Sequence, residues 1–374
     1  MKKKIILNLL VFPLVFAFFW YLIPLVIVKF NPTLTQSPLI LVTGDFSNPE
    51  SFGSLVMSGI IESKANLPTN EKIETEKYEL LEYTEADLSV GFIVEKTSIL
   101  NEKIRDDLVT LVAHKNIIGI IAANSSETIE PVLQVGKEFK IPVFLAVASN
   151  DEIIAEYNDI SFRLLANDGK QAEAISKWCE QIIDSTETDK IGVLYSQTRY
   201  GKGLRRTLER VIGINSLIPF SLGTTTDIAG SFNYGERAGV NAWVAITYKE
   251  EALEIAVKKK SLGINGPILF SDGAYGKWLT QINEDSIYYT FPLPDTSFKN
   301  VGYNHFGYDA YRLIYYAFSK YKHESMKTKD DFLNIINDHE FTFWLKGLNG
   351  KYKFNNGENI MSKFEYFKSS YENQ

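Results

Sequence analysis

Cysteine occurs once in the 374 residues, at Cys179, so the chain has no internal disulfide framework and no thiolate metal cluster. Cys179 shares a helical apolar stripe with Ile175, Trp178 and Ile182, the pattern of a buried structural thiol. Histidine is nearly as scarce: His114, His305, His323 and His339 are scattered without HExxH-like spacing, and no metal site is expected. Missing too are the Gly-x-Ser-x-Gly elbow of serine hydrolases, the GxGxxG dinucleotide fingerprint and the GxxxxGK[ST] phosphate loop. Without them the expectation is a protein with no cofactor and no catalytic residue: not an enzyme. Basic charge is in deficit, and a formal net charge of -7 argues against nucleic acid as a partner. Lys258-Lys259-Lys260 reads as a solvated helix face. Low-complexity segments and repeats at solenoid spacing are absent as well.

What remains is an ordinary globular composition, 45% hydrophobic and 23% charged, in a chain long enough for two domains. Tyr 20 and Phe 24 suit an aromatic-lined cleft, and equally a plain core.

The amino end is a separate matter. Lys2, Lys3 and Lys4 precede an uncharged apolar run from Ile5 to Val28, longer than the roughly 20 residues that span a bilayer. A cleaved secretory signal has a shorter apolar core and an Ala-x-Ala-like site, and a lipoprotein needs a nearby cysteine. The expectation is therefore an uncleaved N-terminal signal anchor or transmembrane helix over 1–30, with a cleaved signal as the alternative. The basic cluster faces the cytoplasm, which puts the body on the periplasmic or outer side of the plasma membrane. Residues 31–38, with Pro32, form a tether.

The stretch 117–151 organises the rest. Ile117 to Ala123 is a short β-branched and small apolar run, suited to a strand buried on both faces. Asn124-Ser125-Ser126 supplies turn and cap chemistry, Glu127 and Glu130 complement the positive end of a helix, and Pro131 fits its first turns. A second apolar run, Ile141 to Ala148, ends in Ser149-Asn150-Asp151. Parallel strands joined by a crossover helix release both loops at one edge of the sheet. Ser125, Ser126 and Ser149 should therefore meet at a carboxyl edge, beside free helix N–H groups that favour an anion such as a carboxylate.

The strand-then-helix order recurs. Lys190 to Tyr195, Ala242 to Thr247 and Pro267 to Phe270 read as strands of a second parallel sheet, the last ending in Ser271-Asp272-Gly273. Leu39 to Val42 and Val90 to Val94 are further strands of the first half. Tyr288 to Pro294 reads as an extended crossing, Phe306 to Ala317 as a long aromatic-rich helix, and Gly347 to Gly357 as a hairpin.

In this order the stretches IIGIIAANSSETIEPV, IPVFLAVASND, SFRLLANDGKQAEAI, KIGVLYSQTRYGKGL, AWVAITYKEEALEIA, PILFSDGAYG and LNGKYKFNNGENI resemble the type I periplasmic binding proteins, of the branched-chain amino acid kind that serve ABC transporters. The resemblance covers about residues 115 to 360 and weakens over Leu39 to Val94. It implies two Rossmann-like, mostly parallel α/β lobes joined by a three-crossing hinge, with a ligand in the cleft. Lobe 1 would comprise 39–162 plus 293–345, and lobe 2 163–292 plus 346–374. It also implies that Ser125 or Ser126, the Val147 backbone and Ser149 hold a ligand carboxylate. Asp272 would then hold the ammonium, and Tyr200 and Tyr248 would flank the ligand. Phe52 would line the first-lobe side.

The functional expectation is an extracytoplasmic solute-binding protein that captures a small ligand, an amino acid, for ABC-type uptake or sensing, with a permease or membrane signalling partner. Two alternatives stand beside it: a tethered sensor or accessory protein with a degenerate site, and an extracellular α/β hydrolase. The plainer uses of the same residues are helix caps for the serines, a turn for Asp272, and surface cover for Tyr200 and Tyr248.

Overall fold

In a computed structural model of the chain, the described residues are 39–65, 75–76, 79–80, 89–94, 101–186, 190–223, 227–281, 286–293, 302–323, 333–334, 336 and 349–369. The expected anchor at 1–30 and tether at 31–38 lie outside them. Among the described residues no helix is long and apolar enough to cross a membrane.

The first sheet is built on β1 (Leu39–Gly44), β4 (Ser89–Val94), β5 (Ile117–Ala123), β6 (Val143–Leu145) and β7 (Ser161–Arg163), all parallel, in the order β7-β6-β5-β1-β4. A separate antiparallel pair, β2 (Thr75–Glu76) and β3 (Glu79–Leu80), precedes β4. The second sheet takes β8 (Ile191–Ser196), β9 (Leu217–Leu222), β10 (Ala242–Ile246), β11 (Ile268–Phe270), β12 (Ile287–Leu293) and β15 (Lys363–Lys368), in the order β15-β12-β11-β10-β8-β9. Only β15 runs antiparallel there. Strands covered by helices on both faces need continuous apolar runs, and AWVAI of β10 and VFL of β6 are buried throughout.

Ten helices flank the sheets among the described residues. With the first sheet lie α1 (Phe52–Ala65), α2 (Asn101–His114), α3 (Glu130–Phe139) and α4 (Asp151–Tyr157). With the second lie α5 (Asp168–Thr186), α6 (Arg199–Ile212), α7 (Ile228–Arg237), α8 (Lys249–Ser261) and the short α9 (Lys277–Gln281). The long α10 (Tyr303–His323) returns to the first lobe and packs along α1. Its apolar face, with Phe306, Ala310, Leu313, Ile314 and Ala317, is buried as the periodicity requires. The two helices touch backbone to backbone: a β-carbon on Gly59 would lie 1.7 Å from the Asn304 carbonyl oxygen, and one on Gly307 1.9 Å from that of Val56. Cys179 is buried, and burial pushes its thiol up to about 12, as suits an inert core group.

Two expectations change. Over its described residues, 288–293, the expected crossing is not bare, because β12 is a full strand of the second sheet with Phe291 in the core. The tail divides instead of joining the second lobe whole. β13 (Phe354–Asn355) and β14 (Glu358–Asn359) extend the first sheet beyond β7, and only β15 joins the second. Asn356 (φ 48) and Gly357 (φ 78) form the two-residue turn between them, where left-handed backbone favours Asn-Gly.

The chain passes between sheets after β7, between β12 and α10, and between β14 and β15. These passages are tied together. Asn359 Nδ2 donates to the Leu164 carbonyl at 3.0 Å, and Ser362 Oγ donates to that of Leu293 at 2.9 Å. Arg163, fully buried, pairs with Glu358 at 2.9 Å and donates to the Asn150 carbonyl at 2.5 Å. The described residues at these passages thus form one bonded cluster.

Candidate functional site

The carboxyl edges of the two parallel sheets face one another. On the first, β5 ends at Ala123 and β6 at Leu145, so the loops carrying Ser125, Ser126, Val147 and Ser149 leave side by side. Thr43 of β1 fixes the first loop, its hydroxyl donating to Asn124 Oδ1 at 2.6 Å. The serines are not caps of the following helix: α3 starts after Ile129 without a side-chain cap, carried by Pro131 in its first turn. Ser126 and Ser149 are buried, and Ser125 is half-buried.

On the second sheet, β8 leads to Thr198, which caps α6 by accepting from the Gly201 N–H at 3.1 Å, and Tyr200 sits in that first turn. β10 leads to Tyr248, the residue before α8. β11 leads to Asp272, which opens a single 3-10 turn. All seven residues singled out in the sequence line one gap between the lobes, with Phe52, Gly273 and Tyr303 completing the walls. The room left in the gap is about 10 Å³, enough for roughly one water.

Asp272 is the buried charge of the site. Its Oδ1 accepts from Gln171 Nε2 at 2.8 Å and from the Tyr200 hydroxyl at 2.6 Å, and its Oδ2 from the Tyr303 hydroxyl at 2.9 Å. Burial raises its pKa above the ordinary carboxylate value, and these three donors, with the Gly273 backbone N–H, pull the other way. The Gly273 backbone N–H adds a fourth donor, so the roughly four acceptor positions of the carboxylate are all engaged. Gln171 is itself held by α5 and reaches Thr290 of β12 at 2.8 Å. Asp168, at the start of α5, is buried beside Ser149. Burial pushes its carboxyl up to about 8, against the pull of the Ser149 hydroxyl. The phenols of Tyr200, Tyr248 and Tyr303 are all raised well above their ordinary value, first by burial and then by the neighbouring carboxylates. All three therefore act as neutral donors.

Glu130 lies in the first turn of α3, as expected, whereas Glu127 complements the amino end of α6 in the opposite lobe. Glu127 accepts from the Tyr200 backbone N–H of α6 at 2.8 Å and from the Tyr248 hydroxyl at 2.5 Å. Glu130 pairs with Arg199 at 3.1 Å and accepts from Tyr157 at 2.5 Å. Lys249 pairs with Glu50 farther out on the rim.

Tyr303, Gln171 and the cross-lobe role of Glu127 were not among the sequence candidates. Tyr303 precedes the periodic face of α10, and Gln171 looks like any polar helix residue until α5 is packed against β12. Among the described residues no His, Cys, Asp and Glu side chains are grouped so as to hold a metal ion.

Two α/β lobes that face one another across a gap walled by hydroxyls, rings and one buried acid match the architecture of type I periplasmic binding proteins. Solved structures of that fold superpose over nearly the whole chain. A leucine-binding protein of Thermotoga maritima MSB8 matches with a TM-score of 0.69 and 15% identity, over 88% of this chain and 95% of that one. The branched-chain amino acid transporter substrate-binding protein of Streptococcus pneumoniae, solved with isoleucine, gives 0.67 and 14%, over 89% and 100%. A type 1 periplasmic binding protein of Bordetella pertussis Tohama I gives 0.65 and 14%, over 88% and 96%. These likenesses establish the fold. No protein-family model matches the chain, and no curated protein matches its sequence.

Proposed function

We propose that the protein is an extracytoplasmic receptor that captures an amino acid between its lobes, for ABC-type uptake or for ligand sensing. The observation that carries this reading is the opposition of two walls across one gap. The hydroxyls of Ser125, Ser126 and Ser149, with the Val147 backbone, form an uncharged polar wall suited to a carboxylate. Across from it, Asp272 and the faces of Tyr200 and Tyr248 suit an ammonium. A buried carboxylate of raised pKa gains from a cation that neutralises it, and a zwitterion brings that cation together with its counter-charge. The amino acid ligands named for the neighbouring structures favour the same class. The apolar run after Lys2–Lys4 supports a tether that holds the receptor outside the plasma membrane, beside a permease or signalling partner.

Titration calorimetry of the purified full-length protein with the common amino acids tests the reading. Saturable binding of at least one is expected, with Ser149→Ala and Asp272→Ala each weakening it about tenfold or more, the cost of losing one charged hydrogen bond. Affinity unchanged in both variants would remove this pocket from consideration.

A further inference from the structure

Resting on the receptor reading, we infer that Tyr303 is an internal competitor of the ligand: its hydroxyl holds the place on Asp272 that an ammonium takes, and gives it up when the lobes part. The four donors on Asp272 differ in the lobe that carries them. Gln171 comes from α5, Tyr200 from α6, and the Gly273 N–H from the next residue in the chain. All three belong to the second lobe and travel with the acid. Tyr303 alone comes from the first lobe, at the start of α10, and it bonds Oδ2 at 2.9 Å. Opening therefore strips one donor from Asp272 and leaves the other three in place.

The root of Tyr303 is fixed on the first lobe. Helix α10 meets α1 backbone to backbone at Gly59 and Gly307, and the Tyr303 ring lies edge to face on Phe52 of α1 with centroids 4.9 Å apart. Its ring also meets Phe291 of β12 at 5.1 Å, an apolar contact without a fixed direction. The bond to Asp272 is less forgiving: at 2.9 Å it is gone once its partners separate by less than about 1 Å. Room argues the same way. With about 10 Å³ left in the gap, phenol and ligand cannot share this form. An amino acid must meet the opened form, where Oδ2 has lost its donor. There its ammonium brings a full charge where the phenol brought only a dipole, so the exchange favours the ligand. The apparent affinity is nevertheless lowered by the fraction of molecules in which Tyr303 still holds the acid.

Tyr303→Phe keeps the ring and its packing on Phe52 and removes only the hydroxyl. The experiment is titration calorimetry of the purified full-length wild type and of this variant with the common amino acids. The variant is expected to bind about threefold or more tightly whichever amino acid the wild type binds, because the competitor is gone. Binding seen only in the variant supports the proposal as well. Equal or weaker binding by the variant overturns it and leaves the receptor reading standing, since a phenol that touches the ligand or merely supports the fold gives that result. No response to any amino acid in either protein overturns both. Should the variant fail to fold, a crystal structure of the wild type with its amino acid decides. The Tyr303 hydroxyl is then expected beyond hydrogen-bond distance of Asp272 with the ammonium on Oδ2, and an intact bond overturns the proposal.

Discussion

Asp168 is a side chain whose chemistry departs far from its ordinary behaviour. Its carboxyl holds its proton up to about 8 because burial penalises the charge. In the unfolded chain the same group ionises near 4. Between those limits the folded state binds more protons than the unfolded one, so Asp168 stabilises fully below about pH 4 and loses that contribution as pH rises to about 8. Asp168→Asn carries no charge at any pH. Urea unfolding at pH 5, 6 and 7 is expected to show the variant's pH slope flatter than wild type by up to about 1.4 kcal/mol per unit. Equal slopes would mean that the group ionises freely in the fold. Asp309, raised to about 7 by burial, adds a slope of the same sign in both proteins. The candidate residues at this scale divide by how they could be read. Ser125, Ser126 and Ser149 were legible because parallel strand geometry alone brings their loops together. Tyr200, Tyr248 and Asp272 came from the family likeness of short motifs. Gln171 and Tyr303 reach Asp272 from 101 and 31 residues away, and no local pattern records such a meeting.

Among the elements, the pair α1 and α10 carries the strongest constraint. At Gly59 a methyl group would enter the Asn304 carbonyl, and backbone cannot step aside as a side chain can. Gly59→Ala or Gly307→Ala should cost about 1–3 kcal/mol or more through forced separation of the helices. Because both act on one contact, the double variant should cost less than the sum, as thermal unfolding would reveal. Helix α10 itself was legible from its apolar spacing. β12 was misread because Pro292 suggested a linker. Only Ile287–Tyr289 pairs with β11, so Pro292 lies beyond that ladder and bonds to β15 alone, a position that tolerates a missing N–H. The hairpin was read over 347–357 from alternation that ends in turn residues; those residues proved to be its turn, with the strands at 354–355 and 358–359, and such a signal cannot say which sheet the hairpin will edge.

At the scale of the whole molecule, the lobes are held closed by contacts across the gap: Tyr303 with Asp272, Glu50 with Lys249, and Glu127 and Glu130 with the residues that open α6 and α8. Glu127 takes the Tyr200 N–H and the Tyr248 hydroxyl, and Glu130 takes Arg199. The pair Arg206–Glu152 also spans the lobes, but at 53% and 63% exposure it contributes little. Glu127→Gln with Glu130→Gln should shift the population toward an open form, seen as a larger radius of gyration in solution scattering than wild type. An identical scattering profile would show that closure rests on something else. Arg206→Ala is the control and should leave the profile unchanged.

The divided tail has a consequence for how the molecule is made. The strands that finish both sheets, β13 and β14 on one and β15 on the other, lie within the last residues described. A nascent chain leaving the ribosome has neither sheet complete until these residues emerge. Until then β7 and β12 present open edges able to pair with another chain. A translation product stopped near residue 350 would therefore be damaged in both halves at once, and aggregation would be its expected fate.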